Sequence, residues 1–212
     1  KAGKTPDPPV ESGKWTIESL SEQLLPKIKE VVEKHVEQAA AAMPPSDGED
    51  GPYRESASIA DFDGELDHRA LTHDLYRFFG AVVELERERR SPKECIDKAV
   101  KEVAASLIQQ RERILDTADK LIGDAVGLYC DERTHSEDWD INALEESLSN
   151  TFNIKIDLMG IELAQQPLAE KAFAQVETII EAREEELGPI YFLYFARHFL
   201  LEEIDNQWID HL

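Results

Sequence analysis

Apolar residues recur at three- and four-residue steps from Trp15 to Met43: Ile17, Leu20, Leu24, Leu25, Ile28, Val31 and Val32, with His35 continuing the stripe. This period predicts an amphipathic helix, and Ala39 to Ala42 extend it at little cost. Pro26 lacks an amide donor and predicts a kink or interruption. A second helix is expected from about Asp67 to Arg90, with Leu71, Leu75, Phe78, Phe79 and Val82 as its stripe. Ser91 reads as a cap and Pro92 as the first position of a long helix to about Cys130. An acidic turn, Asp131 to Asp140, precedes a short helix from Asn142 to Phe152. Ile154 to Leu158 alternates like a strand. Pro167 then opens a helix towards Gly188, and Gly188-Pro189 breaks or bends the chain before an apolar end at Leu212. The predicted class is all-α.

Two stretches punctuate this pattern. Residues 1–14 are rich in Pro and Gly and are expected to be a disordered linker. Pro44 to Ala60 reads as a loop, with Pro-Pro and Gly-Pro as its breakers. An internal repeat also stands out. DHRALTHDLYRFFGAVVEL, from Asp67, aligns without a gap on DINALEESLSNTFNIKIDL, from Asp140. Asp67, Ala70, Leu71, Leu75, Phe79 and Leu85 meet Asp140, Ala143, Leu144, Leu148, Phe152 and Leu158. The shared unit is helix, acidic loop, short helix ending in Phe, extended segment, helix. Such a unit cannot cover its own apolar face, so two copies would stack.

Charge and chemistry narrow the function. The chain has 212 residues and a formal charge of −22, which argues against nucleic acid or anionic lipid as a partner. Cys95 and Cys130 lie far apart with no clustered ligands, and read as free thiols in a reducing compartment. No apolar run approaches the ~20 residues of a bilayer span. Glu65-Leu-Asp-His68 and Glu132-Arg-Thr-His135 both read Glu-x-x-His, the motif of ferritin-like di-metal bundles. Both fall in acidic loops or at helix edges, where solvated charge is the simpler account. His68 and His73 are not at the step of a zinc helix. Glu184-Glu185-Glu186 reads as a solvated face, and Trp139 as an anchor beside a cap. No Walker-type phosphate loop is present.

The C-terminal part carries a resemblance. DWDINALEESLSNTF, followed by EAREEELGPIYFLYFARHFLLEEIDNQWIDHL, resembles the SecA family of bacterial preprotein translocase motors. In that family an acidic, Trp-containing segment leads a short helix of the helical wing. An aromatic helix follows, ending Asp-x-x-Trp-x-x-His-Leu, here Asp205, Trp208, His211 and Leu212. The Gly188-Pro189 pair is unusual there, and residues 1 to about 105 have no clear counterpart in an ordinary wing. The resemblance implies a first wing-like unit at 15–115, a second at 116–180 and a truncated scaffold helix at 181–212, with both chain ends cut inside a longer protein.

By the same resemblance, this stretch is non-catalytic and holds no cofactor or metal. ATP and Mg would be bound elsewhere in an intact, protein-translocating ATPase. Its partners would be other domains of that motor, the SecYEG channel and unfolded preproteins. Its place would be cytoplasmic and peripheral at the inner membrane. The interaction residues are expected to be Phe192, Phe195, His198, Phe199, Asp205, Trp208 and His211, with His198 a packed core or interface imidazole. Self-association through this apolar helix is a further expectation. The alternatives are a ferritin-like metal-binding bundle and a generic helical adaptor.

Overall fold

A computed structural model describes residues 15–42, 59, 62, 64–85, 91–131 and 133–210, with 203–210 as helix backbone. The expected linker at 1–14, most of the Pro44 to Ala60 loop, the charged run at 86–90, Glu132 and His211 lie outside the described residues. Six α-helices and one short 3-10 turn account for the regular structure among the described residues, with no strand element. They are α1 (Ile17–Ala42), α2 (His68–Phe79), α3 (Pro92–Tyr129), α4 (Ile141–Phe152), α5 (Gln165–Leu187) and α6 (Pro189–Asp210), and the fold is all-α. The chain divides into two compact units. One comprises residues 1–110 and 193–212, the other residues 111–192.

In the first unit, α1 runs through Pro26 without interruption. Pro26 is exposed, so water can satisfy the carbonyl that its missing amide leaves free. Leu20, Leu24, Ile28, Val32 and Val36 form a buried stripe, each at 1% exposure or less. The expected helix over Asp67 to Arg90 is shorter than its periodicity suggests. Asp67 caps it by accepting from the Ala70 amide, and it ends at Phe79. Gly80 adopts φ 64° there and donates its N–H to the Tyr76 carbonyl, a left-handed stop that glycine takes without strain. Beyond it, Ala81, Val83 and Leu85 are buried and the residues between them point outward, the period of extended chain. Ser91 and Glu94 then form a reciprocal capping box at the start of α3: Glu94 N–H donates to Ser91 Oγ, and Ser91 N–H donates to Glu94 Oε2.

The second unit is built the same way. Asp140 caps α4 by accepting from the Ala143 amide, and Asn153 ends it at φ 52°. Asparagine is among the few side chains that tolerate this conformation. Ile156 and Leu158 follow as buried alternate residues of an extended segment. This segment is strand-like in pattern but pairs with no strand among the described residues. Its amides find side chains instead: Ile156 donates to Ser149 Oγ, Asp157 to Gln175 Oε1 and Leu158 to Glu145 Oε1. Ala118, Ile122, Val126 and Cys130 of the α3 end join Leu144, Leu148, Leu168, Ala172 and Val176 in one core.

The two units correspond at a fixed offset of 73 residues, the separation that Arg111 and Glu184 also have. Helices α2 and α4 are both 12 residues long. The buried pairs Leu71/Leu144, Leu75/Leu148, Val83/Ile156 and Leu85/Leu158 extend into the next helix as Ala99/Ala172 and Val103/Val176. One hydrogen bond recurs as well. Glu84 N–H donates to the Glu102 carboxylate in the first unit, and Asp157 N–H to the Gln175 side chain in the second.

Glu184 departs from its expected solvated face. It is 7% exposed, and its carboxylate accepts from Arg111 Nε at 2.7 Å within the second unit, while Glu185 and Glu186 remain exposed. Burial pushes the Glu184 carboxyl above its ordinary range. The hydrogen bond and charge of Arg111 pull it down, and Glu181 and Glu177 push it up again. A carboxyl raised on folding binds its proton more tightly in the folded state. Its contribution to stability is therefore fully present below the unfolded carboxyl's pKa and is lost as pH rises through the folded value.

Two stability measurements test these features. Asp67→Ala and Asp140→Ala should each lower unfolding free energy in urea by about 1 kcal/mol, the usual loss of a cap. Arg111→Met should lower it by about 3–5 kcal/mol at neutral pH, because it strands a buried carboxylate. Arg111→Met combined with Glu184→Leu should recover most of that loss. Glu184→Gln should remove this group's share of the fall in stability with rising pH.

Candidate functional site

The candidate surface is built on α6. Gly188, at φ 74° and ψ 154°, occupies backbone space open almost only to glycine, and it separates α5 from α6. Pro189 then takes the first helical position, where no amide is required. The sequence Ile190 to Leu201 is apolar on nearly every side, so no single neighbouring surface can cover it. Leu193 is buried at 2% exposure. Phe192 is half-buried. Tyr191, Tyr194, Phe195, Phe199, Leu200 and Leu201 are exposed, with Phe199 at 62%.

Helical spacing groups these rings. Tyr194 and Phe195 meet edge to face at 5.6 Å between centroids, and Phe195 and Phe199 stack at 6.4 Å. His198 is exposed and lies 6.1 Å from the Phe199 ring. The helix turns position 198 to solvent, so of the two expected places for His198, packed core or interface, the core of this chain is not the one it takes. Asp205 and Trp208 fall on the α6 backbone, with their side chains outside the description, and His211 lies beyond it. The structure thus brings Phe195, His198 and Phe199 together and gives no side-chain geometry for the last three predicted residues.

Arg197 is the residue the sequence reading missed. Its guanidinium donates to the Phe78 carbonyl at 3.0 Å and to Gln110 Oε1 at 3.3 Å, and sits 6.0 Å from the Tyr194 ring centroid. All four residues belong to the first unit. The one available signal was a lone cation in an otherwise apolar helical turn.

The groups that could do chemistry are engaged elsewhere. His35 is buried at 6% and its Nε2 lies 3.1 Å from the Asp74 carboxylate. An open cleft nearby is lined by His35, Gln38, Glu65 and Asp67. Asp67 is already committed to capping α2. His68 Nε2 lies 3.9 Å from the buried Cys95 sulfur. Burial raises the Cys130 thiol, which disfavours the thiolate a nucleophile needs. Among the described residues no group of three or more His, Cys, Asp and Glu could hold a metal ion. Trp139 acts as the expected anchor: its indole N–H donates to the Asp131 carbonyl and to Thr134 Oγ1, closing the acidic turn.

Comparison with known proteins adds a family. The pattern described as "SecA Wing and Scaffold domain" matches residues 103–212. Similar curated proteins are named "Protein translocase subunit SecA". The one from Sorangium cellulosum is 33% identical over 144 residues, covering 67% of this chain and 14% of the relative. The one from Myxococcus xanthus is 34% identical over 133 residues, covering 63% and 14%. The one from Syntrophus aciditrophicus is 30% identical over 104 residues, covering 48% and 12%. The chain thus spans only 12–14% of the length of these relatives. No solved structure matches it. With more than half of its residues matched, including α4, α5 and the exposed aromatic helix, the chain belongs to the SecA wing and scaffold domain family.

Proposed function

We propose that this chain is a non-catalytic wing-and-scaffold portion of a protein-translocating ATPase. The observation that carries this reading is the exposed aromatic face of α6, which lies inside the family match. Leaving several large rings wet costs several kcal/mol at about 25 cal/mol per Å². A scaffold helix sheathed by further domains of the same protein removes that cost. ATP and Mg are bound by those other domains, and the intact motor acts on unfolded preproteins at the SecYEG channel. It works from the cytoplasmic side, peripheral to the inner membrane.

The wing's role in this reading is mechanical: an acidic body that limits how far a substrate-gripping domain can swing. The extra N-terminal unit is a second copy of the wing unit. The fixed offset supports this, since caps, left-handed stops, buried positions and a side-chain hydrogen bond all recur at it.

Excision of residues 17–187 from the full-length motor tests the role. Preprotein translocation should fall several-fold while the nucleotide-binding motifs stay intact. Unchanged translocation and ATPase rates would refute it.

A second reading is favoured by the exposure of Phe199, Leu200 and Leu201. By itself the chain self-associates through α6. Sedimentation velocity should show a concentration-dependent increase in mass, which Phe199→Glu abolishes. A monomer at every concentration would remove this reading.

A further inference from the structure

Unit 1 residues 15–102 precede the family match, yet part of α6, a family-matched helix, belongs to that unit. The join is made by Arg197. Helix α2 ends at Phe79, so its last carbonyls carry the negative end of the helix dipole. Arg197 Nη2 donates to one of them, Phe78 O, at 3.0 Å, and Nη1 donates to Gln110 Oε1 at 3.3 Å. Gln110 is itself held in place, since its amide nitrogen donates to Phe79 O at 3.1 Å and to Ser106 Oγ at 3.2 Å.

Gly80 completes the receptor. A Cβ at this position would collide with the guanidinium, and its φ of 64° disfavours one in any case. Burial lowers the Arg197 pKa, with Tyr76 and Tyr194 opposing. In a chain of 45 Asp and Glu, the guanidinium takes no carboxylate among the described residues. It is recognised by carbonyl direction and shape instead of by an opposite charge.

The second unit lacks this receptor. At the 73-residue offset, Gly80 is replaced by Asn153, which carries the Cβ that Gly80 lacks. Gln110 is replaced by Arg183, a like charge that is already paired with Glu186. The same fold position therefore holds a guanidinium in one unit and lacks both the glycine and the glutamine of that receptor in the other.

We propose that the first unit is a seat for the scaffold helix, with Arg197 as the latch and Gly80, the α2 carbonyls and Gln110 as its receptor. The proposal rests on the family reading only for the scaffold role of α6. Arg197 is a positioning residue: it fixes how α6 lies on the first unit and so which of its faces stays exposed.

Amide hydrogen exchange on the full 212-residue chain tests this. Loss of the charge-assisted bonds in Arg197→Ala should speed exchange across residues 193–202 about tenfold or more, with residues 141–183 unchanged. Gln110→Ala should act in the same direction on the same segment. Arg197→Lys should restore only part of the protection, because an ammonium cannot reproduce the two-pronged donation. Unchanged exchange at 193–202 in Arg197→Ala would overturn the latch, as would an equal rise in both segments. Neither result depends on translocation, so the latch can fail while the motor role stands, and the reverse.

Discussion

A helix that is apolar all the way round is satisfied only by surroundings on every side. That constraint governs α6 and, through it, the meaning of the whole chain. One side of α6 is met by the burial of Leu193 and by the seat of Arg197. The rings of Tyr194, Phe195 and Phe199 are left exposed. Burial of such surface is the main favourable term in association, so a helix of this kind implies partner surface beyond the chain. The helix lies inside the match to the SecA wing and scaffold domain, and the relatives that share it are much longer than this chain.

The two units solve a different problem. Each must support a long helix with a short one, joined by a chain segment that cannot be helical. The solution is the same in both. An Asp caps the short helix, a left-handed residue stops it, and an extended segment drops alternate apolar side chains into the core. Extended backbone ordinarily requires a neighbouring strand for its amides. In the second unit Ser149, Gln175 and Glu145 replace that strand, so a strand-like pattern lives inside an all-α fold.

Differences between the units matter as much as the likeness. Gly80 and Asn153 stop equivalent helices, and a Cβ at position 80 would collide with the Arg197 guanidinium. Arg111 and Glu184 stand at equivalent positions of the repeat and carry opposite charges, which lets them meet in a buried pair. A pair of this kind contributes little net stability against an apolar replacement, but it penalises any arrangement that separates it.

Much of this was legible along the chain. Helix periodicity, the cap at Ser91 and the break at Gly188-Pro189 follow from interactions spanning a few residues, so local sequence encodes them, and the 73-residue correspondence is read by aligning the chain on itself. The resemblance to the family was equally readable, because Trp139 and the aromatic run of α6 are sequence features. Other outcomes were not local. Stripe residues Phe78 and Val82 pointed to a helix longer than Gly80 permits, and Pro26 to a break that an exposed carbonyl avoids. Glu184 looks like any member of an acidic run, and Arg197 like a stray charge. Their partners, Arg111 and the α2 terminus, lie 73 and 119 residues away. The amino-acid sequence alone determined which segments are helical and the 73-residue correspondence between them; tertiary packing alone decided which charges are buried and where the last helix is held, because those energies depend on groups that only folding brings within reach.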